Sequence, residues 1–239
     1  MGPTILATGV LAVTTDFSPF YAGVAALMAF SLLLGLTDDR AHIPPMVRLG
    51  LSTGSVLALM IFVPATSVTF FHFSFMQVAL LLTGFWGLGF TAISMVGLQN
   101  ALNMADGKNG LAVGLCLIWV ALLVPYAPSH LVPLLAVMLV TLGVTAVFNV
   151  GGRLFLGDSG TYSLSVSIGV LTVYVYNVNF LMLHADIVAL WFLIPVVDAL
   201  RLILYRIMAG RSPFSSDTIH FHHLLEKLMP WRWGLIVYL

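Results

Sequence analysis

Long apolar runs constrain this chain more than any other feature. Stretches at about 17–37, 47–65, 78–98, 111–126, 131–148, 162–181 and 187–205 approach the roughly 20 residues a helix needs to cross a hydrocarbon core. The expectation is an all-α, polytopic integral membrane helix bundle of about seven full spans with partial segments at the ends. Residues 3–14 read as part of a membrane helix, and Trp231–Leu239 as a closing segment too short to span. The fourth and fifth runs are short, with Pro125, Pro128 and Pro133 around a tight turn, so one re-entrant hairpin is an alternative. Composition agrees: 60% of residues are hydrophobic and 8% charged, against roughly 25% charged in soluble domains. With a formal net charge of zero, nothing suggests a nucleic-acid surface. Cys116 lies inside an apolar run and reads as a small hydrophobe. There is no sign of a second domain, an internal repeat or a low-complexity linker, so residues 1–239 read as a single membrane domain.

If the spans alternate in direction, the segments 38–46, 99–110, 149–161 and 206–230 share one side of the membrane. All nine Lys and Arg residues lie in or beside this set, and the segments 66–77, 127–130 and 182–186 have none. The positive-inside rule makes the first set cytoplasmic. A re-entrant fourth and fifth run leaves this parity unchanged.

The same segments carry four polar clusters. Asp38-Asp39 sets two carboxylates at the end of an apolar run. A solvated pair fits, and so does a site for Mg²⁺, which takes one or two carboxylates together with substrate phosphates. Asn100-x-x-Asn103-x-x-Asp106-Gly107-x-Asn109-Gly110 combines amides with glycines that allow close backbone approach, just before a helix expected to begin at Leu111. An ordinary Asn/Asp/Gly turn would look the same. Gly157-Asp158-Ser159-Gly160 places an acid and a hydroxyl before the next run, either as a helix cap or as part of a magnesium shell. His220-x-His222-His223 suits a strand or loop better than one helix face; phosphate contact is favoured over zinc, since no further well-spaced ligand accompanies it. Asp198 is the outlier, an acid inside the last run with Arg201 three residues on, as either a structural ion pair or a functional group. His72, His130 and His184 fall on the opposite side and read as solvated loop residues. Trp86, Trp119 and Trp191 read as lipid-facing or core aromatics.

In order and spacing, these residues are similar to the polyprenyl-phosphate N-acetylhexosamine-1-phosphate transferase family. The matching residues are Asp38-Asp39-Arg40, Asn103-x-x-Asp106-Gly107-x-Asn109-Gly110-Leu111-Ala112, Phe155-Leu-Gly-Asp158-Ser159-Gly160, Ile194-Pro195-x-x-Asp198 and Ser212-Pro213-Phe214-Ser215-x-Asp217-x-x-His220-x-His222-His223-Leu224. Together they cover about residues 20–225. The Ser-Pro-Phe-Ser run and the His-Phe-His-His spacing resemble the N-acetylglucosamine-1-phosphate branch more than the muramyl-pentapeptide branch. Measured against that family, the chain is shortened at both ends.

The resemblance implies transfer of a sugar-1-phosphate from a UDP-N-acetylhexosamine to a polyprenyl (undecaprenyl) phosphate. UMP is released at the cytoplasmic face of the inner membrane, as the first membrane step of an envelope glycan. It implies Mg²⁺, with Mn²⁺ as a substitute, bound by Asp158, and gives Asp38 and Asp39 lipid-phosphate or base duties. Because a phosphate monoester is mostly a dianion at neutral pH, Asp38 reads at least as well as a metal or orientation residue. The catalytic set is Asp38, Asp39, Asp106, Asp158, His220, His222 and His223, and the substrate-binding set is Asn100, Asn103, Gly107, Asn109, Ser159 and Arg211. A homodimer is also expected. Two other classes stay open: a non-catalytic lipid-carrier or scaffold protein that keeps the fold, and a proton-coupled transporter using Asp198 and the histidines. The transporter would favour inverted repeats, and none is visible in the sequence.

Overall fold

The computed structural model describes residues 18–214 and 219–239; the apolar run at 3–14, together with Ser215 and Asp217, lies outside the described residues. The described residues form ten α-helices and one short hairpin. In chain order these are α1 (Pro19–Ala41), α2 (Pro45–Phe62), β1 (Phe70–Phe71), β2 (Leu80–Leu81), α3 (Phe85–Ala105) and α4 (Leu111–Leu123). There follow α5 (Val132–Val150), α6 (Gly157–Val178), α7 (Ala185–Trp191), α8 (Leu193–Met208), α9 (Phe221–Leu228) and α10 (Trp231–Tyr238). The strands pair antiparallel, Phe70 opposite Leu81 and Phe71 opposite Leu80.

Helix α6 is the hub, buried along most of its length, with α1 and α3 packed against it. It carries Thr161, Ser163, Ser165, Ser167 and Thr172 inside the bundle. Their hydroxyls are satisfied locally: Ser165 donates to the Thr161 carbonyl at 2.6 Å and Thr172 to the Ile168 carbonyl at 2.7 Å, while Ser163 reaches the Met28 carbonyl of α1 at 3.3 Å. Small hydroxyl residues allow close helix approach without leaving a polar group unpaired. The tightest approach is at Gly35, where an added Cβ would lie 2.4 Å from the Asp158 carbonyl oxygen. This contact joins the end of α1 to the start of α6, the two places where the acidic pairs sit.

Three described helical segments are long and apolar enough to cross a membrane, Pro19–Ala41, Pro45–Phe62 and Ser129–Val150, or four if α7 and α8 form one bent span. The expected seven are not reached, and the differences have local causes. The run 78–98 begins in the hairpin, and its helix starts only at Phe85. Helices α3 and α6, with 21 and 22 residues, are long enough but dilute their apolar residues with Gln99, Asn100 and Asn103 in the one and Ser163, Ser165 and Ser167 in the other. The 13 residues of α4 span about 20 Å at 1.5 Å per residue, short of a core of about 30 Å. The last run breaks by 68° between α7 and α8. Pro195 explains the break, since it has no N–H to give the carbonyl four residues earlier and its ring crowds that carbonyl. That carbonyl belongs to Trp191, and it accepts instead from the Trp119 indole at 2.8 Å. Trp119 is therefore a core aromatic, 1% exposed.

Two further expectations change. Asp38 and Asp39 stand on the last turn of α1 rather than after it. His220 caps a helix, and His222 and His223 lie in its first turn, rather than on a strand or loop. A side chain at the cap leaves the helical register, so an i, i+2 spacing across a helix start does not argue against helix. At the far end of the bundle, the hairpin is tied down by Asp186, which accepts from the Ser74 N–H (2.9 Å) and hydroxyl (2.6 Å). His72 and His184 there are half-buried rather than solvated, with ring centroids 5.0 Å apart.

Candidate active site

The end of α1 and the start of α6 build an acidic pocket. Asp39 accepts from the backbone N–H groups of Asp158 (2.9 Å) and Ser159 (3.1 Å), so a carboxylate from one helix caps the N-terminus of another. That position suits an anion, because the first N–H groups of a helix have no internal acceptor. Gly157 makes room: its φ is +63°, and an added Cβ would lie 3.0 Å from Asp39 Oδ2. Asp38 is buried, at 4% exposure. Its Oδ1 accepts from the Ile43 N–H at 2.7 Å, and its Oδ2 accepts from Arg48 Nη1 and from the Tyr162 hydroxyl, both at 2.8 Å.

Asp158 faces the turn that follows α3. Its Oδ1 accepts from the Asn103 amide, which also reaches the Thr161 hydroxyl at 3.3 Å. Burial, and the negative charges of Asp38 and Asp39, raise the Asp158 carboxyl above its ordinary value, against the Asn103 hydrogen bond. Asp106 closes the group, with the Gly157 N–H favouring its ionised form. Burial and then the negative charges of Asp158 and Asp39 push the Asp106 carboxyl up to about 7, against the opposing pull of the Gly157 N–H. Carboxylates from three separate chain segments thus crowd one pocket, with Arg48 paired to Asp38 at its edge.

The histidine segment docks on the same turn. His222 packs on Gly107, where an added Cβ would lie 2.8 Å from the His222 Nε2. His222 is 1% exposed, and neither ring nitrogen has a hydrogen-bond partner. Burial, then the neighbouring His223 and His220, lowers it to about 4, so at neutral pH it is an uncharged imidazole. The segment is held at three points. Asp198 accepts from the Phe221 N–H (3.1 Å) and from Arg201 (2.8 Å), with His220 Nδ1 at 3.5 Å. Lys108 pairs with Glu226 at 2.6 Å, and the Trp231 indole donates to the Asn109 carbonyl at 2.9 Å. The expected Asp198–Arg201 ion pair is therefore present, and its structural task is to anchor α9 on α8.

Of the residues singled out in the sequence, Asp38, Asp39, Asn103, Asp106, Asp158 and Ser159 come together, and Gly107 and Asn109 join them to His220, His222 and His223. Two stand apart. Asn100 donates to the Val96 carbonyl of its own helix at 2.8 Å, and the side chain of Arg211 is exposed beyond the end of α8. Asp38, expected as a metal ligand, has both oxygens engaged by Ile43, Arg48 and Tyr162, which leaves Asp158 and Asp106 as the less committed carboxylates. Sequence reasoning missed Arg48, Tyr162 and Asn149. Arg48 was visible ten residues after Asp38 but entered only as a cytoplasmic charge; Tyr162 was absorbed into an apolar run.

The chain is similar to known proteins over most of its length. Residues 21–176 match the model of glycosyl transferase family 4, a region that takes in the first three polar clusters. A probable undecaprenyl-phosphate N-acetylglucosaminyl 1-phosphate transferase of Bacillus subtilis is 28% identical over 199 residues, 81% of this chain and 55% of that protein. The undecaprenyl-phosphate alpha-N-acetylglucosaminyl 1-phosphate transferase of Escherichia coli K12 is 26% identical over 231 residues, 87% of this chain and 58% of its own length. A phospho-N-acetylmuramoyl-pentapeptide-transferase of Thermotoga petrophila is 29% identical over 229 residues, 88% of this chain and 69% of that one. The chain therefore spans 55 to 69% of the length of these relatives. With the family model covering well over half of its residues and the acidic pocket formed from that same region, the chain belongs to glycosyl transferase family 4.

Proposed function

We propose that this protein transfers N-acetylhexosamine-1-phosphate, with N-acetylglucosamine as the favoured sugar, from a UDP-sugar to a polyprenyl phosphate at the cytoplasmic membrane surface, releasing UMP. The observation that carries the reading is the convergence of Asp38, Asp39, Asp106 and Asp158 in one pocket, with the His222 imidazole packed on the Asp106–Gly110 turn beside it. The names of the relatives support the lipid acceptor and the sugar phosphate in general terms.

The donor set fits magnesium. It is all oxygen, and burial, reinforced by the negative charges of Asp158 and Asp39, drives Asp106 toward neutrality. Among the described residues no three His, Cys, Asp or Glu side chains enclose a metal by themselves. A hard cation held by one or two carboxylates, with water and phosphate completing its shell, needs no such enclosure. Asp158 and Asp106 would hold it. When bound, the ion would neutralise charge on the donor diphosphate and on the departing UMP.

In the transfer, an oxygen of the polyprenyl phosphate attacks the phosphorus that bears the sugar. A P–O bond forms to the lipid phosphate, and the bond from that phosphorus to the bridging oxygen breaks, leaving with UMP. The acceptor has a second pKa of about 6 and is largely a dianion at neutral pH. It needs no base, so the work of the site is positioning and charge balance. Arg48 supplies positive charge at the mouth, Asn103 holds the Asp158 carboxylate in place, and the neutral His222, packed on Gly107, supports the turn that carries Asp106 and adds no cation.

Radiolabelled UMP exchange into UDP-N-acetylglucosamine, dependent on polyprenyl phosphate and Mg²⁺, tests the reading. Exchange should be present in the wild type and lost in Asp158→Asn with membrane insertion intact. A scaffold or a transporter would show none with either protein, and undiminished exchange in the variant would remove Asp158 from the metal site.

A further inference from the structure

Asn149, in the last turn of α5, lies outside every motif of the pocket, yet it is 2% exposed and makes one bond in each direction. Its Oδ1 accepts the Gly110 N–H at 2.6 Å, and its Nδ2 donates to the Leu154 carbonyl at 2.8 Å. Gly110 is the last residue of the turn that carries Asp106, and Leu154 belongs to the loop that leads into Asp158. One buried amide therefore clasps both loops, four residues from each of the two least committed carboxylates.

The fit is tight on either side. Gly110 has φ +87°, and a Cβ there would lie 2.8 Å from Leu235 and 3.0 Å from Val150. Gly152 has φ +68° and sits where a Cβ would be 3.2 Å from the Asn109 amide. Both loops are glycine-bearing and outside helices, so their own backbones do not fix the distance between them. The Asn103 amide also joins the end of α3 to Asp158, but at Asp106 itself only the pull of the Gly157 N–H works against repulsion from Asp158 and Asp39. A carboxamide carries its acceptor and its donor on opposite arms of one planar group, so it serves the N–H of one loop and the carbonyl of the other together.

We propose that Asn149 is a positioning residue for the transfer reaction, setting the separation of Asp106 and Asp158 and thereby the affinity of the pocket for its divalent cation. The proposal rests on the transferase reading above, but metal binding tests it apart from turnover. Groups that orient ligands typically contribute 10- to 100-fold in metal affinity or activity.

The full chain in detergent would be titrated with Mn²⁺ by electron paramagnetic resonance, and its UMP exchange measured, for wild type, Asn149→Ala and Asn149→Asp. Asn149→Ala should weaken Mn²⁺ binding and lower kcat by about 10- to 100-fold. KM for polyprenyl phosphate should stay unchanged, because Arg48 and Asp38 are held by their own bonds. Asn149→Asp keeps the acceptor for Gly110 and loses the donor to Leu154, so it should fall between the two. Wild-type Mn²⁺ affinity in a folded Asn149→Ala overturns the proposal; if that variant fails to fold, wild-type affinity and kcat in Asn149→Asp do so. A wild type that binds Mn²⁺ but exchanges no UMP overturns the transferase reading alone, while the Mn²⁺ comparison still decides Asn149. A wild type that binds no Mn²⁺ overturns both.

Discussion

Asp106→Asn should flatten the pH dependence of stability. In the fold this carboxyl is raised from 3.8 to about 7, chiefly by burial. At about 1.36 kcal/mol per pH unit, the folded state gives up roughly 4 kcal/mol as the pH rises from below 4 to above 7. The sign follows from proton counting: between the two values the folded protein holds a proton that the unfolded chain has released, so raising the pH favours unfolding. His222 acts the other way. Lowered to about 4, it contributes stability that is fully present above about 6.5 and lost as the pH falls through 4. The two overlap, so the wild-type curve alone does not isolate Asp106, whereas the difference between wild type and Asp106→Asn cancels His222. That difference should grow by about 3 kcal/mol between pH 5 and pH 8, with the variant the more stable at the high end. Denaturation midpoints in detergent without divalent ions, at half-unit pH steps, would measure it. Added Mg²⁺ should shrink the difference by stabilising the ionised wild-type carboxylate. Parallel curves for the two proteins across this range would refute both the burial of Asp106 and its place beside Asp158 and Asp39.

Other substitutions report on single contacts. Arg48→Met should destabilise by about 3 kcal/mol, because Asp38 stays buried without its cation, and adding Asp38→Asn should restore part of the loss in a double-mutant cycle. Trp119→Phe strands the Trp191 carbonyl that Pro195 already deprives of a partner, at a cost of about 1 to 3 kcal/mol in chemical denaturation. Gly35→Ala forces α1 away from α6 and should lower stability by about 1 to 3 kcal/mol; it should also reduce UMP exchange, since the same contact sets Asp39 on the α6 N-terminus.

Much of the pocket was legible because charge is scarce here. With few ionisable residues, counting apolar runs was enough to bring Asp38, Asp106, Asp158 and His222 to one end, and the bundle joins them there. Span counting succeeded less well, because hydropathy does not reveal where a helix starts. Leu80 and Leu81 read as the beginning of a span and pair instead with Phe71 and Phe70. The bend before α8 was readable in principle from Pro195, but the indole that satisfies the freed carbonyl is 72 residues away in sequence. Asn149 and Tyr162 escaped for the same reason: each sits at the border of an apolar run, and its partners lie on other elements. Long-range pairing of that kind leaves no periodic trace in a single sequence.

The pocket sorts its acids by how each one is balanced, and that sorting assigns their work. Asp39 rests on two backbone N–H groups of α6, and Asp38 on a cation, a phenol and a backbone N–H. Both are compensated by the protein itself, so they build the site and hold α1 to α6. Asp158 has one amide donor, and Asp106 has a strong tendency to keep its proton. These two are undercompensated, which is costly in a buried site unless something positive arrives. The arriving charge would bring the donor diphosphate with it, since two carboxylates leave a hard cation most of its shell for water and phosphate. A site with all four acids fully paired would be more stable and would have no affinity left for a metal. The instability predicted for Asp106 above neutral pH is the same quantity, seen without its ligand, that would make the pocket bind one.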